Sequence, residues 1–151
     1  MKNIILNRPL IFLDFETTGL DIEADRIVEF TTLKVYPGGS TDMKSERLNP
    51  TVPIPLEATR IHGITDMDIK DKPKFEVYAK ALLDFFSDCD VSGYNVKKYD
   101  LPLMVNEFKR VGIDFRVDSN NIIDAMTIFH TMEPFERPRD LQAAYKKYCG
   151  K

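Results

Sequence analysis

The sequence predicts one α/β domain, residues 1–151, built on a five-stranded mixed sheet with flanking helices. The first observation is a set of three strand-like segments near the N-terminus, where the turn signal Pro37-Gly38-Gly39-Ser40 favours an antiparallel meander. The second is an alternation of helical and strand-like segments in the rest of the chain. The third is the length of 151 residues, which gives room for one core, without repeats, low-complexity tracts or linkers.

The predicted strands are short apolar or β-branched runs. Residues 10–15 form a continuous apolar run, typical of a buried central strand. Residues 27–36 are rich in β-branched and aromatic side chains, and residues 43–48 follow the turn as the third strand. Two further strands are predicted at residues 91–95 and 121–124.

Helical spacing of apolar residues dominates the second half of the chain. Four segments are predicted to be helical: residues 56–61, residues 74–87, the segment around residues 101–108 that Gly112 closes, and the segment around residues 141–148 that ends near Gly150. The proline-bearing residues 49–55 and the charged residues 66–73 are predicted to be loops.

Net charge, cysteine number and the N-terminal segment limit the classes of function that fit this chain. The net charge is -3, with 21 basic and 24 acidic residues, which gives no general basic surface for long duplex nucleic acid. The balance is compatible with an enzyme that holds a few nucleotides through metal ions. Two cysteines, Cys89 and Cys149, are too few for a disulfide framework, so a reducing cytoplasm is expected. Residues 1–9 contain no long apolar segment, so neither a signal peptide nor a membrane span is expected.

Asp14 and Glu16 are the most informative pair of residues. They follow the apolar run of the first strand, and side chains alternate between the faces of a strand, so both carboxylates point the same way. Two like charges at this spacing repel each other and lose hydration, and a divalent cation reverses that balance. Hard oxygen ligands suit Mg²⁺ or Mn²⁺. The alternative is a strand end with two solvated acids.

The next segment, Thr17-Thr18-Gly19-Leu20, predicts a sharp turn because glycine has no Cβ. Its two hydroxyl groups and nearby backbone amides can face a phosphate or a terminal sugar. The turn therefore favours a phosphate-bearing ligand beside the two acids.

Asp100 stands at the N-terminal edge of a predicted helix. One interpretation is an N-cap, which by itself explains an aspartate at this position. The other is a third metal carboxylate, delivered beside the first strand because binding sites in α/β sheets favour such strand ends. Both interpretations stay open at the level of the sequence.

Four segments form an ordered set along nearly the whole chain: residues 14–20 (DFETTGL), residues 57–65 (EATRIHGIT), Gly93-Tyr94-Asn95 through Tyr99-Asp100, and Ile123-Asp124-Ala125-Met126. This set resembles the DEDD-type 3′-5′ exonucleases, the family of the DNA polymerase III epsilon proofreading subunit, whose fold is ribonuclease H-like. The segments correspond to the first exonuclease motif, the nucleotide pocket, the second motif, and the fifth strand with the following helix. Tyr94 and Tyr99 stand where relatives often carry His and Phe.

The resemblance implies a site with two metal ions about 4 Å apart that clamp the scissile phosphate. Asp14, Glu16 and Asp100 resemble three of the four carboxylates that hold them. The implied activity is metal-dependent removal of nucleoside 5′-monophosphates from the 3′ end of DNA or RNA. The implied partners are a single-stranded nucleic-acid 3′ end and a polymerase or other protein.

The resemblance also implies a pocket for the terminal nucleotide. Its expected residues are Thr17, Thr18, Glu57, Ile61, His62, Asn95 and Tyr99. Within it, Glu57 suits the 3′ hydroxyl, and Ile61 and Tyr99 suit packing on base or sugar. Alternatives are a loop role for His62 in capping backbone groups and ordinary core packing for the tyrosines.

One part of the family pattern is absent from the sequence. Relatives carry a His and, five positions later, the fourth Asp on a final helix, whereas His130 is followed at that distance by Phe135. Asp124 and Asp140 could replace the fourth Asp in charge only, and closing a strand and capping a helix explain them better.

Three explanations are open for the missing pair. In the first explanation, the domain is C-terminally incomplete and lacks the last family helix, which would leave apolar sheet surface exposed and impair activity. In the second explanation, the chain is an inactive module that binds nucleic-acid ends. In the third explanation, a second chain supplies the missing groups.

Overall fold

The computed structural model describes residues 4–118 and 121–150, and it contains a five-stranded sheet in the order β3-β2-β1-β4-β5. The strands are β1 (Leu10–Thr17), β2 (Ile27–Val35), β3 (Thr41–Arg47), β4 (Asp90–Gly93) and β5 (Ile122–Asp124). The helices in these ranges are α1 (Leu56–His62), α2 (Asp66–Ile69), α3 (Phe75–Phe86), α4 (Asp100–Arg110), α5 (Ala125–Met132) and α6 (Leu141–Cys149). None of them is long and apolar enough to cross a membrane.

Strand pairing confirms the predicted mixed sheet. β1 pairs antiparallel with β2, and β2 pairs antiparallel with β3, which is the expected meander. β4 runs parallel to β1, and β5 runs parallel to β4. Parallel neighbours need a crossover connection, and α3 and α4 supply helical connections of this kind. The carboxyl end of β1 therefore lies beside the segment that leaves β4.

The main core lies on one face of β1. Ile11, Leu13 and Phe15 point to this face and pack with buried residues of α3 and α4. Phe108 of α4 is fully buried and stacks on Phe115 with ring centroids 4.5 Å apart. The apolar face of β1 is thus buried in the core, and the carboxylates of the strand lie on the opposite face.

A second, smaller core holds α1 against the sheet. Val28 of β2 is fully buried and clusters with Ala58 of α1, Ile69 of α2 and two residues of the connecting segments, Ile54 and Ile64. This cluster places the first helix next to the carboxyl end of β1, because Val28 lies one residue after the Thr17↔Ile27 pair.

The opposite face of the sheet exposes apolar surface away from the acids. Met43 is 65% exposed, and a shallow cavity of about 400 Å³ is lined by Phe12, Leu33, Ile4 and Leu6 among others. Exposed apolar surface on the sheet agrees with the expectation from the sequence. Its cause, a missing helix, stays a prediction.

The prediction from sequence was wrong for one loop, and apolar spacing did not predict one helix. Residues 66–73 were predicted to be a loop but contain α2, which starts with a capping box between Thr65 and Asp68. A capping box can be recognised in a sequence, but the many charged residues of this segment favoured a loop. α5 has no clear apolar period and was expected only from the family resemblance. Residues 1–3, part of the N-terminal segment judged free of a leader, lie outside the described residues, as do 119–120 and 151.

Candidate active site

Asp14 and Glu16 lie on the same face of β1, as the alternation predicted. Asp14 is exposed and Glu16 is half-buried, whereas the alternating residues Leu13 and Phe15 are buried on the other face. Across the sheet, Glu16 stands opposite Glu29 of β2. Like charges directly opposite each other destabilise an antiparallel pair, and Arg47 offsets part of this charge by pairing with Glu29 at 2.9 Å.

Asp100 faces β1 rather than capping its helix. It is the first residue of α4 and only 4% exposed, while Tyr99 occupies the N-cap position. The backbone N–H groups of Phe15 and of Asp100 itself act on this carboxyl and lower its pKa, against the larger effect of burial. The N-cap interpretation is therefore wrong. The parallel pairing of β4 with β1 brings the start of α4 to the acidic end of β1.

Burial raises the pKa of all three carboxyl groups, and the charge of Asp14 raises the pKa of Glu16 and of Asp100 further. Burial, and then the charge of Asp14, raise the pKa of Asp100 to about 7. Burial raises the pKa of Asp14. Burial, Asp14 and Glu29 raise the pKa of Glu16, while nearby His62 lowers it. In the ranges 4–118 and 121–150, none of the three acids forms a salt bridge with lysine or arginine.

This charge pattern fits a divalent cation in donor type. Hard carboxylate oxygens without a basic partner are the ligands that Mg²⁺ and Mn²⁺ prefer. The acids do not form a preformed metal site. In the described residues, no group of three or more Asp, Glu, His or Cys side chains could hold a metal ion as it stands. The residues therefore supply suitable ligands, and the assembled metal centre stays a prediction.

A cavity of about 510 Å³ opens next to Glu16. It is lined by Phe15, Glu16, Thr17, Thr18, Gly19, Leu20, Asp25, Pro55, Glu57, Ala58, Ile61, His62 and Tyr99. We call it the β1–α1 pocket. It brings together seven of the predicted site residues from three elements: the end of β1, helix α1 and the start of α4. Asp14, Asp100 and Asn95 are not among the residues that line it.

Thr17 and Thr18 line the β1–α1 pocket, but their hydroxyl groups donate hydrogen bonds within the turn. Both side chains are more than nine-tenths buried. Thr17 Oγ1 donates to the Gly19 carbonyl oxygen at 2.8 Å, and Thr18 Oγ1 donates to Asp25 Oδ1 at 2.6 Å. The turn itself uses both hydroxyls as donors, and their expected role toward a phosphate stays a prediction.

Gly19 is required by a close approach. A Cβ at this position would lie 2.5 Å from Asp25 Oδ2, and that same oxygen accepts a hydrogen bond from the Asp21 N–H at 2.8 Å. Asp25 thus packs closely against Gly19 and holds the turn in place. The sequence identified the glycine but not its partner, since the segment around Asp25 showed only a polar, turn-like composition.

His62 presents a hydrogen-bond donor at the pocket. Its Nδ1 accepts the backbone N–H of Ile64 at 3.0 Å, so the neutral imidazole carries its proton on Nε2. In the described residues, Nε2 is buried and has no hydrogen-bond partner. A buried donor without a partner is costly, so this atom is suited to an incoming acceptor.

Two apolar side chains flank the mouth of the β1–α1 pocket. Ile61 is 85% exposed and Leu20 is 86% exposed, and they come from opposite walls. Glu57, in the first turn of α1, is also exposed. Ile61 and Glu57 were predicted to line this pocket. Leu20 was missed, although an isolated leucine after a predicted turn was a readable signal.

The residues outside the pocket have local structural contacts. The Asn95 N–H donates to Asp124 Oδ1 at 3.0 Å, and Asp124 both ends β5 and caps α5. Tyr94 Oη donates to the Arg139 carbonyl oxygen at 2.6 Å, which supports packing over base stacking for this tyrosine.

The remaining polar candidates are also accounted for by structure. Asp140 caps α6, as its position suggested. The ring of His130 contacts the Arg139 carbonyl oxygen at 2.9 Å, so this histidine holds a loop.

The chain is similar to known proteins in both sequence and fold. The chain is 33% identical over 143 residues to the DNA polymerase III subunit epsilon of Rickettsia felis, covering 91% of this chain and 61% of that protein. Among solved structures, exonuclease I matches with a TM-score of 0.81 at 17% identity, covering 95% of this chain and 36% of that one. E. coli exonuclease I in complex with a dT13 oligonucleotide matches with a TM-score of 0.74 at 20% identity, covering 87% and 31%.

These structures confirm the ribonuclease H-like fold, and the chain spans about three fifths of the length of the epsilon subunit that it matches. A family model described as Exonuclease, RNase T, matches residues 11–151. That range holds the acidic end of β1, the β1–α1 pocket and Asp100, and the chain therefore belongs to the RNase T exonuclease family.

Proposed function

We propose that this domain is the core of a metal-dependent 3′-5′ exonuclease that hydrolyses terminal phosphodiester bonds of DNA or RNA and releases nucleoside 5′-monophosphates. The observation that carries the proposal is the position of Glu16, which belongs both to the acidic cluster and to the β1–α1 pocket. A nucleotide in the pocket would place its phosphate beside the carboxylates.

Asp14, Glu16 and Asp100 would hold two divalent cations, Mg²⁺ or Mn²⁺. Bound at these acids, the cations would lower the pKa of the attacking water and stabilise the leaving 3′ oxygen. Burial of all three acids, and the charge of Asp14 beside Glu16 and Asp100, disfavour the ionised acids when no cation is present. A bound cation would reverse this effect.

The β1–α1 pocket would bind the terminal nucleotide. Its volume of about 510 Å³ falls in the range of roughly 300–1,000 Å³ that is usual for small-ligand sites. Leu20 and Ile61 would contact the base from two sides, His62 Nε2–H would donate to an oxygen of the nucleotide, and Glu57 would accept the 3′ hydroxyl. A pocket of this size admits one nucleotide end, which favours single-stranded over duplex substrates.

The reaction also needs a general base, and no His-x4-Asp pair is present in the sequence. We therefore propose that activity is impaired in this chain as it stands. A second candidate function follows from the same observation: a module that binds nucleic-acid ends without cutting them.

The names of the matched proteins suggest partners. One is a subunit of DNA polymerase III, and an exonuclease I structure contains an oligonucleotide. We propose a single-stranded 3′ end as the ligand and a polymerase or other protein as the partner, in the cytoplasm. Proofreading, repair and RNA trimming are all compatible with the site, because the sugar preference depends on how the pocket treats a 2′ hydroxyl.

The decisive experiment uses 5′-end-labelled single-stranded DNA and RNA with Mg²⁺ or Mn²⁺. The wild-type chain and the chain extended by its native downstream sequence, where there is one, are compared with Asp14→Ala in each background. Stepwise shortening from the 3′ end, lost on addition of a chelator and in Asp14→Ala, is the expected result. Shortening only in the extended form would support an incomplete domain.

Two other outcomes decide against the proposal. Tight, metal-dependent binding without shortening in either form would favour the binding module. Metal-dependent shortening that Asp14→Ala leaves unchanged would remove Asp14 from the site.

A further inference from the structure

Arg26 lies directly behind the β1–α1 pocket and contacts two other segments. Its Nε donates to Glu107 Oε1 at 2.7 Å, and its Nη2 donates to Glu107 Oε2 at 3.1 Å. Its remaining nitrogen, Nη1, donates to Thr51 Oγ1 at 3.2 Å. One planar side chain therefore joins the β1–β2 loop, helix α4 and the segment that leads into α1.

Glu107 is a buried carboxylate whose geometry depends on Arg26. Its side chain is 1% exposed, in the last turn of α4. It also accepts the Ile27 N–H at 3.3 Å and lies 3.3 Å from Arg110 Nη1. A buried carboxylate persists only when its lone pairs are satisfied, and the two-pronged arginine contact is the geometry that does so.

The backbone of Arg26 fixes one wall of the pocket. The Thr18 N–H donates to the Arg26 carbonyl oxygen at 3.0 Å, and the Arg26 N–H donates to Thr18 Oγ1 at 3.0 Å. Helix α4 also contacts the β1–β2 loop directly, because Asn106 Nδ2 donates to the Ile22 carbonyl oxygen at 2.8 Å. The position of Thr18 at the pocket therefore follows the position of Arg26.

Thr51 connects Arg26 to the other wall. It lies four residues before the N-cap of α1, Pro55, and has a positive φ of 64°. Its N–H donates to Asn49 Oδ1 at 2.9 Å, so the segment is folded on itself rather than extended. Helix α1 carries Glu57 and His62, so the bond from Arg26 to Thr51 ties the wall that bears them to α4.

We propose that Arg26, held by Glu107, is a positioning residue that sets the separation between the two walls of the β1–α1 pocket and so the fit of the terminal nucleotide. Arg26 is not among the residues that line the pocket, and it acts through Thr18 and Thr51. This inference rests on the proposed function for its effect on substrate, and on the contacts above for its effect on the two walls.

The test compares Arg26→Gln, Arg26→Lys and Thr51→Val with Arg116→Gln. Arg116 also pairs with a carboxylate, Asp114 at 2.8 Å, but at an exposed site outside the pocket. Amide hydrogen exchange is measured for the whole chain. KM and kcat are measured with a single-stranded oligonucleotide, and Kd is measured for a nucleoside 5′-monophosphate with Mn²⁺.

Arg26→Gln is expected to speed exchange in residues 18–26 and 49–62 while exchange in α3 stays unchanged. KM and Kd should rise about tenfold, as for one lost charge-assisted contact, with kcat within about twofold. Arg26→Lys should be intermediate, because lysine keeps the charge without the fork. Thr51→Val keeps the folded surface otherwise intact and should affect residues 49–62 alone.

The outcomes separate the two proposals. Unchanged exchange in both segments of a folded Arg26→Gln protein overturns the positioning role. Faster exchange throughout the chain, or a change equal to that of Arg116→Gln, also overturns it. If Arg26→Gln does not fold, the Thr51→Val result decides. If the wild type neither binds nucleotide nor shortens the oligonucleotide, the proposed function fails. The exchange data still test whether Arg26 positions the two walls.

Discussion

The Tyr99 hydroxyl donates a hydrogen bond of 2.5 Å to the backbone carbonyl oxygen of Gly19, which ties the start of α4 to the turn after β1. The same hydroxyl lies 2.6 Å from Thr17 Oγ1. Burial raises the pKa of this phenol, while the bond to Thr17 lowers it. These residues are about 80 positions apart in sequence, so the contact locks two walls of the pocket that local structure alone would leave independent.

Replacing Tyr99 by Phe should loosen this lock without removing the ring from the pocket. We expect a loss of about 1 kcal/mol in the free energy of unfolding, the usual contribution of one buried hydrogen bond. KM for a single-stranded oligonucleotide should rise several-fold, since the turn loses a fixed support. Denaturant unfolding and steady-state kinetics measure the two effects. Tyr148→Phe, whose hydroxyl bonds Glu133 on the surface, is the matched control. Equal effects of the two variants would contradict a special role for Tyr99.

The buried acid Asp100 should make the metal-free protein less stable as pH rises. Its pKa is 3.8 in an unfolded chain and about 7 in the folded protein, mainly because of burial and then because of Asp14. The folded state therefore favours the protonated acid. Its stabilising contribution is fully present below about pH 4 and is lost as pH rises through about 7, a change on the order of 4 kcal/mol.

Asp100→Asn should remove this part of the pH dependence, because the amide does not titrate. At pH 8 without metal, the variant should be more stable than the wild type in urea unfolding. Addition of Mg²⁺ or Mn²⁺ should stabilise the wild type and leave Asp100→Asn almost unchanged. A variant less stable than the wild type at pH 8 in chelator would show that Asp100 is ionised and satisfied in the folded protein.

Two substitutions at His62 should separate its structural and binding contacts. Asn can place an oxygen near the position of Nδ1 and so keep the acceptor for the Ile64 N–H, but it lacks the Nε2–H donor. We expect His62→Asn to keep the melting temperature within a few degrees and to weaken nucleotide binding by about tenfold. His62→Ala should lower both. Calorimetry and equilibrium binding give the two readouts. Unchanged binding in His62→Asn would assign the histidine to its loop alone.

Glu57 should recognise the 3′ end if the pocket binds a terminal nucleotide. Glu57→Gln should reduce kcat/KM about tenfold or more for a substrate with a free 3′ hydroxyl, as expected for one hydrogen bond to a charged group. A 3′-deoxy terminus should abolish the difference between variant and wild type. Glu76→Gln is the control, since Glu76 also lies in the first turn of a helix, α3, away from the pocket. A persistent difference on the 3′-deoxy substrate would place the role of Glu57 elsewhere.

The sheet was predictable because its signals are local. β1 and β2 consist of apolar and β-branched runs, and the turn at residues 37–40 joins β2 to β3. The structure extended the first strand to Thr17, because pairing with β2 continues through the acidic end. α2 was not predicted because a four-residue helix is too short to show a helical period. α5 was predicted only from the family resemblance, because it buries only Phe129 and shows no clear apolar spacing.

Sequence determined the chemical identity of the acidic strand end. Alternation alone put Asp14 and Glu16 on one face, and the family resemblance named the acids and the pocket segment. Tertiary structure decided what depends on distant contacts. It buried Asp100 at the first position of α4 close to Phe15 of β1, used the hydroxyls of Thr17 and Thr18 within the turn, and placed Arg26 between Glu107 and Thr51. The physical reason is range: alternation acts between neighbours, whereas burial and pairing of charges depend on which segments the fold brings together.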